Sequence, residues 1–216
     1  MPELVSEVRQ ALRDAADASK APGMQAYMKS AMPFLGVQKS ARTRALRPVF
    51  AAHQLDRDQW LAVSLELWDH AGYREERYAA LSLLRGNHQW LTAADEPLLR
   101  HLITTGAWWD LVDEIATKLV GPLRDDLDIR AWALDEDIWI RRAAIISQVG
   151  HRGRGTDPDL LAAVIGPNTA DRRFWITKAI GWALRDYAYT DPKWVRDFVG
   201  GHELAPLSVR EATKHL

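Results

Sequence analysis

At positions 108–113 the chain reads Trp-Trp-Asp-Leu-Val-Asp. No Gly or Pro interrupts the stretch, so it predicts a helix, on which residues four apart share a face. Trp109 and Asp113 then stand together, an indole beside a carboxylate. That pair suits a cationic, sugar-like transition state: the anion answers the positive charge, and the aromatic face adds cation–π attraction. The same pattern also fits a core tryptophan and an aspartate that offsets a helix dipole.

Other chemistries lose support. Cysteine is absent, which excludes disulfides, thiol catalysis and cysteine-ligated zinc and fits a cytosolic protein. The seven histidines at 53, 70, 88, 101, 151, 202 and 215 show no HxxxH or HxH spacing, so no metal site is expected. There is no GxxxxGK[ST], GxGxxG or GxSxG pattern, which removes phosphate loops, dinucleotide folds and the serine nucleophile elbow.

Basic residues cluster locally. One group is Lys39, Arg42, Arg44 and Arg47. A second is Arg141, Arg142, Arg152 and Arg154, and a third is Arg172, Arg173, Lys178 and Arg185. Each alone reads as a solvated helix face. At repeated positions of a solenoid they would form a positive stripe that cradles nucleic acid through phosphates. The overall net charge of −1 argues against a general basic coat but permits such a local face.

The elements that must position these residues are helical nearly throughout. Apolar residues recur at period 3.6 rather than 2. The predicted helices are 3–19, 22–31, 41–53, 57–71, 74–87, 92–104, 108–119, 122–134, 137–150, 157–165, 171–189, 192–199 and 206–215. Thr92-Ala-Ala-Asp95 and Thr156-Asp-Pro-Asp159 look like N-terminal caps. Five prolines, Pro22, Pro122, Pro158, Pro192 and Pro206, sit near helix starts, where the missing N–H costs little. From about residue 40 helices pair with a period near 35–40 residues. Arg77-Tyr-Ala-Ala-Leu81, Arg141-Arg-Ala-Ala-Ile145 and Arg173-Phe-Trp-Ile-Thr-Lys-Ala-Ile180 repeat a basic-then-small pattern. The expected fold is all-α: a right-handed solenoid of HEAT- or armadillo-like antiparallel helix pairs with a concave basic face, one domain over 1–216. The 216 residues, 47% of them hydrophobic, suffice for one sizeable core. Ten tryptophans exceed what that core needs, so some are expected to line the concave surface. No apolar run reaches the roughly 18 residues of a membrane span, and the acidic, amphipathic N-terminus is wrong for a signal peptide. The polar, glycine-rich segment 151–157 reads as a mobile loop.

Four segments carry a resemblance. They are Tyr27-Met-Lys-Ser-Ala-Met-Pro-Phe-Leu-Gly-Val37, Trp108-Trp-Asp-Leu-Val-Asp113, Ile138-Trp-Ile-Arg-Arg-Ala-Ala144 and Lys178-Ala-Ile-Gly-Trp-Ala-Leu-Arg-Asp-Tyr187. In this order, on an all-helical repeat pattern, the chain resembles the AlkD-like family of DNA alkylation repair glycosylases from about Gln25 to Val199. The resemblance implies a HEAT-like solenoid that removes cationic alkylated purines, N3-methyladenine and N7-methylguanine, with neither cofactor nor metal. It implies that the lesion stays stacked rather than being extruded as in most glycosylases. The family's catalytic aspartate falls on Asp113, its two active-site tryptophans on Trp109 and Trp182, and a phosphate-side arginine on Arg142. Tyr27, Gln38 and Arg185 fall on further DNA-contacting positions, and Lys178 joins them as a DNA-binding cation. The expected types at the central positions favour an active member over non-catalytic branches.

The chemistry implied is simple. A purine alkylated at N3 or N7 is already positive and leaves without protonation, so no paired carboxylate is needed. Asp113 would stabilise the oxocarbenium-like sugar and orient a water, and Asp110 would serve as a cap or ion-pair partner. Beside Arg142, Asp113 should stay ionised, since a nearby cation lowers a carboxylate's pKa. The implied partner is double-stranded DNA carrying alkylated bases, bound by a monomer in the cytoplasm and on the nucleoid, with no membrane. The alternatives are a non-catalytic HEAT-like DNA- or protein-binding module and a relative with a preference for bulkier adducts.

Overall fold

The computed structural model describes residues 2–151 and 155–216. Arg152 and Arg154, and with them residues 152–154 of the expected mobile loop 151–157, lie outside the described residues. The described residues form thirteen α-helices, with short 3₁₀ and π turns and no strand. The all-α expectation is borne out. The chain divides into two compact units, 1–90 and 91–216.

The first unit holds α1 (Pro2–Asp14), α2 (Ala21–Met28), α3 (Lys39–Ala51), α4 (Arg57–Asp69) and α5 (Arg74–Gly86). Helix α1 packs on α3, α4 and α5, and α4 packs along α5. Leu4, Val8 and Leu12 recur at helical spacing on α1 and are buried, which gives α1 one apolar stripe to lay on its neighbours. Trp60 and Trp68 are fully buried, and the Trp60 indole N–H donates to the Leu83 carbonyl at 2.9 Å. Asp56 caps α4 by accepting from the Gln59 backbone N–H at 2.8 Å, with the Gln59 side chain reaching back, a reciprocal box that satisfies two otherwise orphan donors.

The second unit holds α6 (Glu96–Gly106), α7 (Trp109–Ile115), α8 (Ile129–Trp132), α9 (Ile138–Ile146), α10 (Pro158–Ile165), α11 (Phe174–Ala188), α12 (Pro192–Gly201) and α13 (Pro206–Ala212). Helices α6, α7 and α9 pack on one another, and α11 lies against α9, α12 and α13. The helix expected over 122–134 is mostly turns, with only the single turn α8. Asp128 caps α8 by accepting from Ala131 N–H, and capping favours a helix start there. The cap before α10 is Asp157, which accepts from Asp159 and Leu160 N–H, rather than Thr156. The Thr92 cap is present, with Asp95 accepting from the Thr92 backbone N–H at 2.8 Å.

Trp60, Trp68, Trp132 and Trp139 are buried, and the other six tryptophans are partly exposed. No described helix is long and apolar enough to cross a membrane.

Candidate active site

The 108–113 stretch does not begin as helix. Helix α6 ends at Gly106, Ala107 takes a left-handed conformation at φ +39, and Trp108 is extended. A non-glycine residue at positive φ is uncommon, and this sharp link starts α7 at Trp109. Trp109 and Asp113 therefore occupy one helical face, a turn apart, as the spacing predicts. Beyond Ile115 the helix widens into a π turn, Ala116–Val120. π turns leave the regular ladder incomplete, and here the Thr117 hydroxyl donates to the Asp113 backbone carbonyl at 2.8 Å.

Arg142 comes from α9, which Asp137 starts by accepting from Trp139 and Ile140 N–H. Its Nε donates to Asp113 Oδ1 at 2.7 Å and its Nη2 to Oδ2 at 2.8 Å. Its Nη1 donates to the Trp175 carbonyl at 2.7 Å. The Arg142 side chain is 3% exposed and that of Asp113 17%. This is the bidentate fork that arginine alone offers a carboxylate. Burial pushes the Asp113 carboxyl above its ordinary value, the two interactions with Arg142 pull it back, and the Asp110 charge adds to the rise. The net shift is upward, which overturns the expectation that the adjacent cation dominates: removing the carboxylate from water outweighs it. Asp110 itself sits in the first turn of α7, where a negative charge complements the helix dipole.

An aromatic cluster adjoins this pair through Trp175, which meets Arg142. Trp108 and Trp175 rings lie 5.2 Å apart, Trp139 and Trp175 5.6 Å, and Trp108 and Trp139 6.1 Å. Phe174, itself exposed, meets Trp175 edge-on at 4.8 Å. The Arg142 guanidinium lies 5.6 Å from the Trp175 ring centre, within cation–π range. The Trp108 indole N–H is buried with no acceptor. The only hint in the sequence was the density of tryptophan, which does not say which ones meet.

Lys178, Trp182 and Arg185 follow one another along α11 at spacings of four and three, so they share a stripe. Trp182 is half-buried. Lys178 and Arg185 both pair with Glu211 of α13, Lys178 Nζ to Oε1 at 2.9 Å and Arg185 Nη1 to Oε2. Arg141 and Arg173 share Asp171, at 3.2 and 2.5 Å, and Arg172 reaches Glu203 at 3.4 Å. The basic residues expected as an open stripe in this unit are thus largely matched by carboxylates.

Tyr27 and Gln38 belong to the first unit. Tyr27 is 73% exposed near the end of α2. Gln38 is the extended, exposed residue that precedes α3. The segment before it is fixed by Glu75, a residue the sequence did not single out. Its buried carboxylate accepts from the backbone N–H groups of Leu35, Gly36 and Val37 at 3.0, 2.9 and 3.0 Å. Gly36, at φ +84, sits so close to the Asp17 carbonyl that a Cβ would lie 2.0 Å from it, so only glycine fits.

Among the described residues no cluster of three or more His, Asp or Glu is placed to hold a metal ion. No curated protein matches the chain. Three solved chains do. One of them, described as a predicted DNA alkylation repair enzyme from Enterococcus faecalis, is 27% identical, with 93% of this chain and 96% of that chain covered at a TM-score of 0.82. Residues 8–216 match the family described as DNA alkylation repair enzyme. With that match over nearly its full length, the chain belongs to the DNA alkylation repair enzyme family.

Proposed function

We propose that the protein is a DNA glycosylase that hydrolyses the N-glycosidic bond of cationic alkylated purines, N3-methyladenine and N7-methylguanine, in duplex DNA, without flipping the base. The observation that carries this reading is the Asp113–Arg142 pair, a carboxylate held by both oxygens on the helical face it shares with Trp109.

The chemistry follows from charge. The bond between C1′ and the base nitrogen breaks, and its electron pair neutralises the cationic base. The sugar becomes an oxocarbenium-like cation. Asp113 faces that charge and orients the water whose oxygen bonds to C1′ and whose proton is released. Trp109 and Trp182 flank the deoxyribose with their ring faces, which attract a cation. A preorganised anion of this kind needs no reorganisation at the moment of reaction. Arg142 is always charged and is buried, so at neutral pH it partners an ionised Asp113. It acts first as a positioning residue, through three N–H groups already engaged, and only its remaining donors are left for a phosphate. Lys178, Arg185, Tyr27 and Gln38 contact the DNA backbone. Residues 1–216 work as one domain and as a monomer in the cytoplasm.

The test is release of N7-methylguanine from methylated duplex DNA under single-turnover conditions. Release by the wild type that Asp113→Asn abolishes supports the reading. Duplex binding with no release leaves a non-catalytic DNA-binding module instead.

A further inference from the structure

Glu211 is a carboxylate on α13 whose side chain is 4% exposed. Three cations converge on it. Lys178 Nζ and Lys214 Nζ reach Oε1 at 2.9 and 2.8 Å, and Arg185 Nη1 reaches Oε2. They hold its carboxyl far down, at about 2, led by the hydrogen bond from Lys214 against the opposing effect of burial.

The fold brings Glu211 there by two further devices. Gly181 of α11 has no side chain, and a Cβ at that position would stand 2.4 Å from Glu211 Cβ and 3.0 Å from the Ser208 carbonyl. The two helices therefore cross in close contact at that point. The Ser208 hydroxyl, wholly buried, donates to the Thr177 carbonyl at 2.8 Å and locks α13 against α11.

Seen down α11, Lys178 and Arg185 lie near the middle of one stripe. Gly181 and Glu211 are on one flank and Trp182 is on the other. Lys178 remains 38% exposed and Arg185 23%, so each keeps an outer face open to a ligand. They are seven residues apart in sequence, about 10 Å along the helix axis, far enough to meet separate phosphates. Long cationic side chains lose rotamer freedom when they are fixed. An anchor that fixes them before binding removes that cost from the binding step.

We propose that Glu211 is a positioning residue that presents Lys178 and Arg185 as two fixed phosphate contacts on either side of Trp182. The proposal rests on the glycosylase reading and extends it. Glu211 touches neither the sugar nor the base. It acts through the two cations, and through them sets where the strand lies against Trp182.

The experiment uses the full chain with Glu211→Gln, which keeps the side chain's shape and removes its charge. Single-turnover release of N7-methylguanine is expected to fall about 10- to 100-fold, the scale of a small misplacement of the reacting strand. Affinity for undamaged duplex is expected to change little, because the loss of two ordered phosphate contacts is offset by the removal of one anion near the phosphates. Ethylation interference on the same duplex should lose two phosphate positions. Should Glu211→Gln fold poorly, Glu211→Gln/Lys214→Ala removes one of the cations left facing each other, and it should unfold at the wild-type temperature yet release the base as slowly. Parallel losses of release, affinity and thermal midpoint would mark a merely structural residue and overturn the proposal, as would unchanged release and unchanged interference. If the wild type releases no base but the variant still loses the two phosphate positions, the glycosylase reading fails and the role of Glu211 stands. If the wild type does not bind duplex DNA, both fail.

Discussion

Arg142 holds Asp113 by both oxygens and at the same time donates to the Trp175 carbonyl, so one guanidinium ties α7, α9 and α11 together. A carboxylate that could turn on two side-chain torsions is left with one orientation. Loss of either member has unequal consequences. Without Asp113 a buried cation loses its counter-charge, and without Arg142 a buried carboxylate loses both its partner and its aim.

Asp113→Asn is expected to lower N7-methylguanine release by about 10²–10³, the loss typical of a preorganised electrostatic contact. Duplex affinity should hold or improve, because an anion beside phosphates opposes binding. Gel-based release and equilibrium binding on the same duplex separate the two effects. A thermal melt run beside them shows whether the unpaired Arg142 has cost stability. Release at the wild-type rate by a folded variant refutes the role given to Asp113.

The upward shift at Asp113 fixes the sign of a pH effect. Its carboxyl lies above the ordinary value of 3.8 because burial outweighs Arg142. The active form is the anion, so release should fall with falling pH through that raised value, earlier than an exposed aspartate would impose. For stability the same shift runs the other way. The contribution of Asp113 is fully present below 3.8 and is lost as pH rises through the raised folded value. Arg142→Ala removes the opposing influence, so its acid limb should move to higher pH. Arg142→Lys, with no planar fork, should lie between. Single-turnover rates from acid to neutral pH give the order of the three limbs, and an unmoved limb in Arg142→Ala contradicts the assignment.

What the sequence makes legible follows from local physics. Most of the helices are legible because apolar periodicity, prolines and acidic caps act within a few residues, as at Pro158 and Asp157. The Trp109–Asp113 face was readable for the same reason. Contacts made across helices were not. Glu211 lies 26 residues from Arg185, and Glu75 lies about 40 from the loop it holds. Neither spacing leaves a periodic trace. The expected basic stripe shows the same limit, since a cation count cannot show that Asp171, Asp113 and Glu211 sit opposite those cations. Over 122–134 the apolar residues fit helical spacing, yet only the single turn α8 forms, started by the Asp128 cap.

Gly181→Ala tests the crossing of α11 and α13 by itself. In an exposed helix this change stabilises by about 1 kcal/mol. Here the new methyl would meet Glu211 Cβ at 2.4 Å, a backbone-tethered atom that cannot swing away. The helices must part, and overpacking of this kind costs about 1–3 kcal/mol. Urea denaturation should show a lower midpoint with an unchanged slope. A midpoint at or above the wild type would mean the two helices have room that the geometry denies.

The last expectation concerns the charge of the lesion. If the base leaves because it is already cationic, N3-methyladenine and N7-methylguanine should be released, and neutral hypoxanthine and uracil should be released far more slowly. A neutral base leaves as an anion unless an acid protonates it, and the described site has no group suited to that task. Asp113 is an acceptor for two arginine N–H groups, and an ionised carboxylate has no proton to give. Arg142 cannot release a proton at all. The indoles of Trp109, Trp175 and Trp182 carry only weak N–H donors. Matched duplexes, each with one lesion, followed under single-turnover conditions give the comparison directly. Equal rates for a neutral and a cationic base would require a proton donor in the site, and the search for it would begin at Asp110, whose charge already raises Asp113.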